Sequence, residues 1–245
     1  SADDLTVLAT LTVNANSALV FTDASTATFK NSLTENIVNS GTLQFFNLTI
    51  GDGVVGDVTN VETLSSFTIL GESSPGAGLT VNEGATFTAT AGTVTFDGSD
   101  ATNAKTIVNN GTMSLFNVDL AATADNNVTT ASDITFAGTT YFATADATGG
   151  TFTATDSTIT FTDAGPTTIN GVVQGAIQFN NLTVATTAQD VNVNTGDFLD
   201  IIGNLTVNGD GTFHSGGAAD ATVRFNGTTG QTIGGTYTNS NDVQF

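Results

Sequence analysis

Two turns bring this sequence closest to a ligating constellation: Asp97-Gly98-Ser99-Asp100 and Asn208-Gly209-Asp210-Gly211. Glycine bends the chain there and sets carboxylate, carboxamide and hydroxyl oxygens side by side, the donor set that hard cations take. Asp97, Asp100 and Asp210 are therefore the candidate calcium ligands. Neither turn matches an EF-hand loop or the Gly-Gly-x-Gly-x-Asp repeat, and turn chemistry alone accounts for Asn, Asp and Gly in such places. No other metal or cofactor is expected. The reactive inventory is otherwise thin: no cysteine, one histidine, and three side chains of fixed positive charge, Lys30, Lys105 and Arg224, in different parts of the chain. A thiol nucleophile, a Cys-based zinc site and a His-rich metal centre are excluded. Glycoside hydrolysis needs two facing carboxylates. The 23 acids make chance pairs inevitable, but no nucleophile, base and orienting group stand together. His214 follows Phe213 in an alternating run, which puts it on a wet face. The sequence predicts no catalytic residue and a non-enzymatic role.

The net charge of −20 bounds the partners. Nucleic acid and anionic membranes repel such a surface. No apolar run approaches the roughly 20 residues of a membrane helix, so no membrane insertion is expected. A glycan or cell-surface contact remains open. Six Asn-x-Thr sequons, at Asn47, Asn110, Asn127, Asn181, Asn204 and Asn226, are candidate glycosylation sites. Three of them arise because a repeated phrase spells Asn-Leu-Thr.

That repeat is what must position everything else. Thr42-Leu43-Gln44-Phe45 followed by Phe46-Asn47-Leu48-Thr49-Ile50 recurs as Thr112-Met113-Ser114-Leu115 with Phe116-Asn117-Val118-Asp119-Leu120. It recurs again as Ala176-Ile177-Gln178-Phe179 with Asn180-Asn181-Leu182-Thr183-Val184, and a fourth copy stops at Asp242-Val243-Gln244-Phe245. Earlier landmarks keep the same order: Ala27-Thr28-Phe29, Val94-Thr95-Phe96, Ile159-Thr160-Phe161 and Val223-Arg224-Phe225. The closing residues 45, 115, 179 and 245 lie 70, 64 and 66 apart, which divides the chain into units 1–45, 46–115, 116–179 and 180–245. Within each unit apolar and polar residues alternate over short runs broken by Gly, Asn and Asp, the pattern of strands with one buried and one wet face. Strong helix formers are sparse.

The repeat predicts an all-β chain, residues 1–245, folded as a single parallel β-solenoid (β-helix). At about 22 residues per coil it would hold about eleven coils, roughly three per long unit. A β-sandwich or jelly roll would also give short alternating strands, but without a period near the ~100 residues of such a unit.

Read together, Asn180-Asn181-Leu182-Thr183-Val184, Gly203-Asn204-Leu205-Thr206-Val207 and the run Arg224 to Ile233 resemble the Thr/Asn/Gly-rich repeats of microbial surface proteins. These are the repeats of adhesins, surface-layer proteins and extracellular filament subunits, and the resemblance covers nearly the whole chain. It implies a structural role at a cell surface. The start, Ser1-Ala2-Asp3-Asp4, suits a mature secreted chain after signal-peptide removal. Solenoid ends are normally capped, and nothing in the sequence resembles a cap. Leu5 and Val7 at one end and Val243 and Phe245 at the other are thus the expected assembly interface of a head-to-tail homopolymer.

Overall fold

Alternation over three to six residues, punctuated by turn residues, is satisfied by short strands and by nothing helical. The computed structural model describes residues 4–22, 25–31, 33–54, 58–71, 77–97, 104–121, 127–142, 150–163, 165–170, 177–185, 190–193, 198–209, 211–215, 222–235, 237–239 and 243–244. Thirty-one strands follow one another, with no helix among the described residues. Each strand pairs in parallel with the strand three further along, so three strands make one coil and the chain is a parallel β-solenoid. The first sheet has eleven strands and the second and third have ten each. That is ten coils and the opening strand of an eleventh, against the about eleven expected. A sandwich would require antiparallel neighbours.

Parallel stacking at one coil per step forces like residues over like. In the first sheet Leu5, Ala27, Leu48, Leu79 and Ile107 are successive register partners, all facing inward. In the interior Phe45, Phe67 and Phe87 meet edge to face, with ring centroids 5.6 and 6.2 Å apart. Further along, Phe136 lies 4.5 Å from Tyr141 and 5.5 Å from Phe161. Each buried aromatic side chain contributes roughly 1.5–3 kcal/mol relative to exposure, so the core is a continuous apolar column.

The repeat and the coil are out of phase. Thr42–Phe45, Thr112–Leu115 and Ile177–Phe179 are the sixth, fourteenth and twenty-second strands, and they lie in the third, second and first sheets. The landmark strands Thr26–Phe29, Thr93–Phe96, Thr158–Phe161 and Thr222–Phe225 are the fourth, twelfth, twentieth and twenty-eighth. The repeat is therefore eight strands, one short of the three whole coils expected. Each copy is displaced by one sheet, a third of a turn, and by about 13 Å along the axis at the usual strand spacing. Val243–Gln244, the thirty-first strand, is twenty-four strands beyond Asn47–Ile50. It stands in the place of the Asn-Leu-Thr strand, not of Thr42–Phe45. Insertions between strands hide this count, because a spacing in residues does not report how many strands it contains.

The same corner is accordingly rebuilt on different edges of the rod. Asn39-Ser40-Gly41 turns from the second sheet to the third, and Asn109-Asn110-Gly111 from the first to the second. In both, the asparagine backbone N–H donates to a serine hydroxyl on the following coil, Ser65 at 2.9 Å and Ser132 at 3.0 Å. Its carboxamide donates to the carbonyl of Ser66 or Asp133, each at 2.8 Å, and accepts from the glycine N–H. A Cβ on Gly41 would run into the carbonyl oxygens of Ser17 and Asn14, and one on Gly111 into those of Ala85 and Asn82. Close approach of coil to coil therefore requires glycine here. Gly111→Ala should cost roughly 1–3 kcal/mol in urea unfolding, whereas Thr112→Ala, exposed beside it, should stay within about 0.5 kcal/mol.

Candidate functional site

Outward positions of one strand stack on outward positions of the next, so chemistry on this fold is arranged in ladders. The most strongly coupled pair lies on the outer face of the first sheet. Asp200 and Arg224 are register partners on adjacent coils, and the guanidinium holds the carboxylate with two hydrogen bonds of 2.6 and 2.5 Å. Asn226 adds a longer contact of 3.4 Å to the same carboxylate. Asp200 is buried and Arg224 half-buried above it. Its hydrogen bond to Asp200 raises the guanidinium pKa still further. The pair joins coils, and nothing in its geometry leaves a carboxylate oxygen poised for proton transfer. Sequence reading missed it. Its signal was an acid and a base at the same outward place of Phe198–Ile201 and Thr222–Phe225.

The other two cations stand apart from it. Lys30 is exposed at a corner, and Lys105 is fully buried in the strand Lys105–Asn109. Lys105 and Glu35 hold the same place in successive repeats, two residues before Ile107 and Ile37. Glu35 is 1% exposed, and neither of its carboxylate oxygens meets a hydrogen-bond donor among the described residues. Burial pushes the Glu35 carboxyl above its ordinary range. Its register partner is Val61, an apolar neighbour that offers no compensation. An ionisable group inside an apolar column was not legible from the alternation of Thr34–Asn39, which marks the inward position but not the absence of a partner.

His214 lies on the outer face as expected, half-buried, with Nε2 3.1 Å from the Thr212 hydroxyl and with Asn192 and Thr238 as register partners. Of the candidate calcium ligands, Asp97 is half-buried and its backbone N–H donates to Ile69, while Asp100 and Asp210 lie outside the described residues. Among the described residues no three His, Asp or Glu side chains gather to hold a metal.

Three of the sequon asparagines have a visible structural task. Asn181 Oδ1 accepts from the Asn204 N–H, and Asn204 Oδ1 accepts from the Thr232 N–H, both at 2.9 Å. Asn127 Oδ1 accepts from the Thr151 hydroxyl at 2.5 Å. These carboxamides cap the next coil's strand. Asn47, Asn127 and Asn181 are half-buried at strand starts, whereas Asn110, Asn204 and Asn226 are exposed.

Leu5–Val7 is the first strand of the first sheet and Val243–Gln244 the last, so the two expected assembly segments sit at opposite ends of the rod. Val7 is buried and Leu5 half-buried. The side chain of Val243, and Phe245 altogether, lie outside what is described. No family model, curated protein or solved structure matches the chain.

Two consequences are measurable. The native Glu35 carboxyl resists ionisation and the unfolded one does not. Its contribution is thus intact below about pH 4 and lost as pH rises towards the raised native value. Glu35→Gln should match the parent's melting temperature near pH 4 and exceed it near pH 8. A parent that is the more stable at the higher pH would show that a donor holds Glu35. At the other pair, Arg224→Ala opens Asp200 to water as it removes its partner. The loss in urea unfolding should therefore be about 1–2 kcal/mol, below that of a sealed ion pair. Arg224→Lys should recover only part of it, because it lacks the two-pronged geometry.

Proposed function

We propose that this chain is a non-catalytic structural subunit of an extracellular filament or surface assembly, joined head to tail by parallel strand pairing at the ends of its rod. One observation carries the reading. Among the described residues, the strands Leu5–Val7, Leu11–Val13 and Ala18–Val20 each have a sheet neighbour on one side only. Along them Leu5, Leu11, Leu19 and Phe21 pack on the core yet stay partly open. Such an edge is a template for another strand. A further coil laid upon it would extend three ladders and bury that apolar rim at once. The contact is heterologous, one end against the other, and repeats without closing. An extracellular or cell-surface setting belongs to the same proposal and rests on the Thr/Asn/Gly-rich repeat. With a charge of −20, copies repel one another at low ionic strength, so salt or calcium should favour joining.

The open edge favours a second reading as well, a segment of an adhesin or surface-layer protein. There the continuing coils would come from the same longer chain. Electron microscopy and sedimentation of the purified chain, with and without calcium, separate the two. Filaments whose length grows with concentration, and which are lost in Leu11→Lys, are expected for the subunit. A chain that stays monomeric at high concentration in salt overturns that reading and leaves the adhesin or surface-layer segment.

A further inference from the structure

The asparagine–glycine corner is also the wall of a cleft, and among the described residues the cleft occurs twice. One of about 470 Å³ lies between Asn39-Ser40-Gly41 and the outer face of the third sheet. The other, of about 320 Å³, lies between Asn109-Gly111 and the outer face of the second. Most of their lining residues correspond along the eight-strand repeat, among them Asn39 with Asn109, Thr42 with Thr112, Thr68 with Thr135 and Thr95 with Thr160. They are one site in two copies, a third of a turn apart around the rod and about 13 Å apart along it. Both are within the range of about 300–1,000 Å³ typical of small-molecule clefts.

The walls are fixed before any ligand arrives, because the same hydrogen bonds from Asn39 to Ser65 and Ser66, and from Asn109 to Ser132 and Asp133, hold each corner to the coil beyond it. The lining chemistry selects the ligand class. The first cleft presents threonine and serine hydroxyls, with Leu43 and Phe67 turning their side chains away into the core, and its lining contains no ionisable side chain. The second contains one, Asp133, and its Oδ1 already accepts the Thr158 N–H at 2.7 Å. An anion is opposed by the charge of the whole chain. A hard cation takes six or more oxygens, several of them carboxylate, and these clefts do not supply them. An apolar ligand would strip water from the hydroxyls without replacing their hydrogen bonds. A neutral polyhydroxylated ligand satisfies the lining, since its hydroxyls both donate to and accept from the threonine and serine hydroxyls that face the cleft.

We infer that each cleft binds a neutral saccharide, and that the eight-strand repeat displays these sites at successive corners of the rod. The inference is independent of head-to-tail joining. Titration calorimetry of the full chain with cello-, manno- and chito-oligosaccharides tests it, with oligogalacturonate as the acidic control. Thr95→Arg and Thr160→Arg each fill one cleft from an outward strand position, and Thr49→Arg, on the outer face of the first sheet, is the matched control.

At least one neutral oligomer should bind while the acidic one does not. Each single cleft variant should remove one site, the double variant should remove both, and Thr49→Arg should remove none. Thr95→Val with Thr160→Val deletes the hydroxyls without added bulk, so it tests the same sites should the arginine variants not fold. It should weaken binding about tenfold or more. Failure of every neutral oligomer to bind at millimolar concentration overturns the assignment. So does binding that survives in the folded double variant, or tighter binding of the acidic oligomer.

Discussion

The whole structure depends on one constraint: every strand must lie parallel to its counterpart one coil away, in register, so that between the two ends of the stack backbone groups are paired on both sides. In Asn60–Thr63, for instance, Val61 lies between Glu35 and Phe87, and the chain has no freedom to slide by one residue without turning its apolar face outward. Stacking therefore acts as a filter on sequence. Whatever occupies an inward position must tolerate an almost identical environment above and below it, which is why the interior is a column of Val, Ile, Leu and Phe.

The exceptions to that filter carry information. Glu35 and Lys105 occupy the same interior place in successive repeats. A buried ionisable group does not raise stability by itself. What it does provide is difference: in a chain whose repeats are nearly interchangeable, one copy stacked in another's place would bring the wrong polar residue into the column. The same logic applies outside, where Asp200 can be matched only by the coil that carries Arg224. The interior ionisable residues and the exterior ion pair thus supply what the repetitive core lacks, a reason for the coils that carry them to stand where they do.

Much of the fold was legible because strand alternation and turn residues are local. Thr93–Phe96 reads as a strand from four residues alone, and Asn110-Gly111 reads as a turn. What was not legible depended on counting strands across insertions. The 70-residue step from Phe45 to Leu115 was read as about three coils and contains eight strands, because longer connections stretch the spacing in residues without adding strands. The Asp200 and Arg224 pair was hidden for a related reason: residues 24 apart meet only once the length of their coil is known. Asn127, Asn181 and Asn204 were legible as sequons but not as caps, since their carboxamides bond to the following coil and not to their own strand.

An eight-strand repeat wound three strands to the coil has a consequence for how such a rod can act. Had the repeat been nine strands, every copy of a surface feature would lie on one face, and the rod would present a single stripe to a flat partner. One strand fewer turns each copy by a third of a revolution. Three copies visit all three faces before the pattern returns after eight coils, about 38 Å along the axis. A flat partner then meets one copy in three, whereas partners surrounding the rod all meet equivalent chemistry. The geometry suits an element embedded among neighbours or within a matrix better than one that lies against a single planar surface.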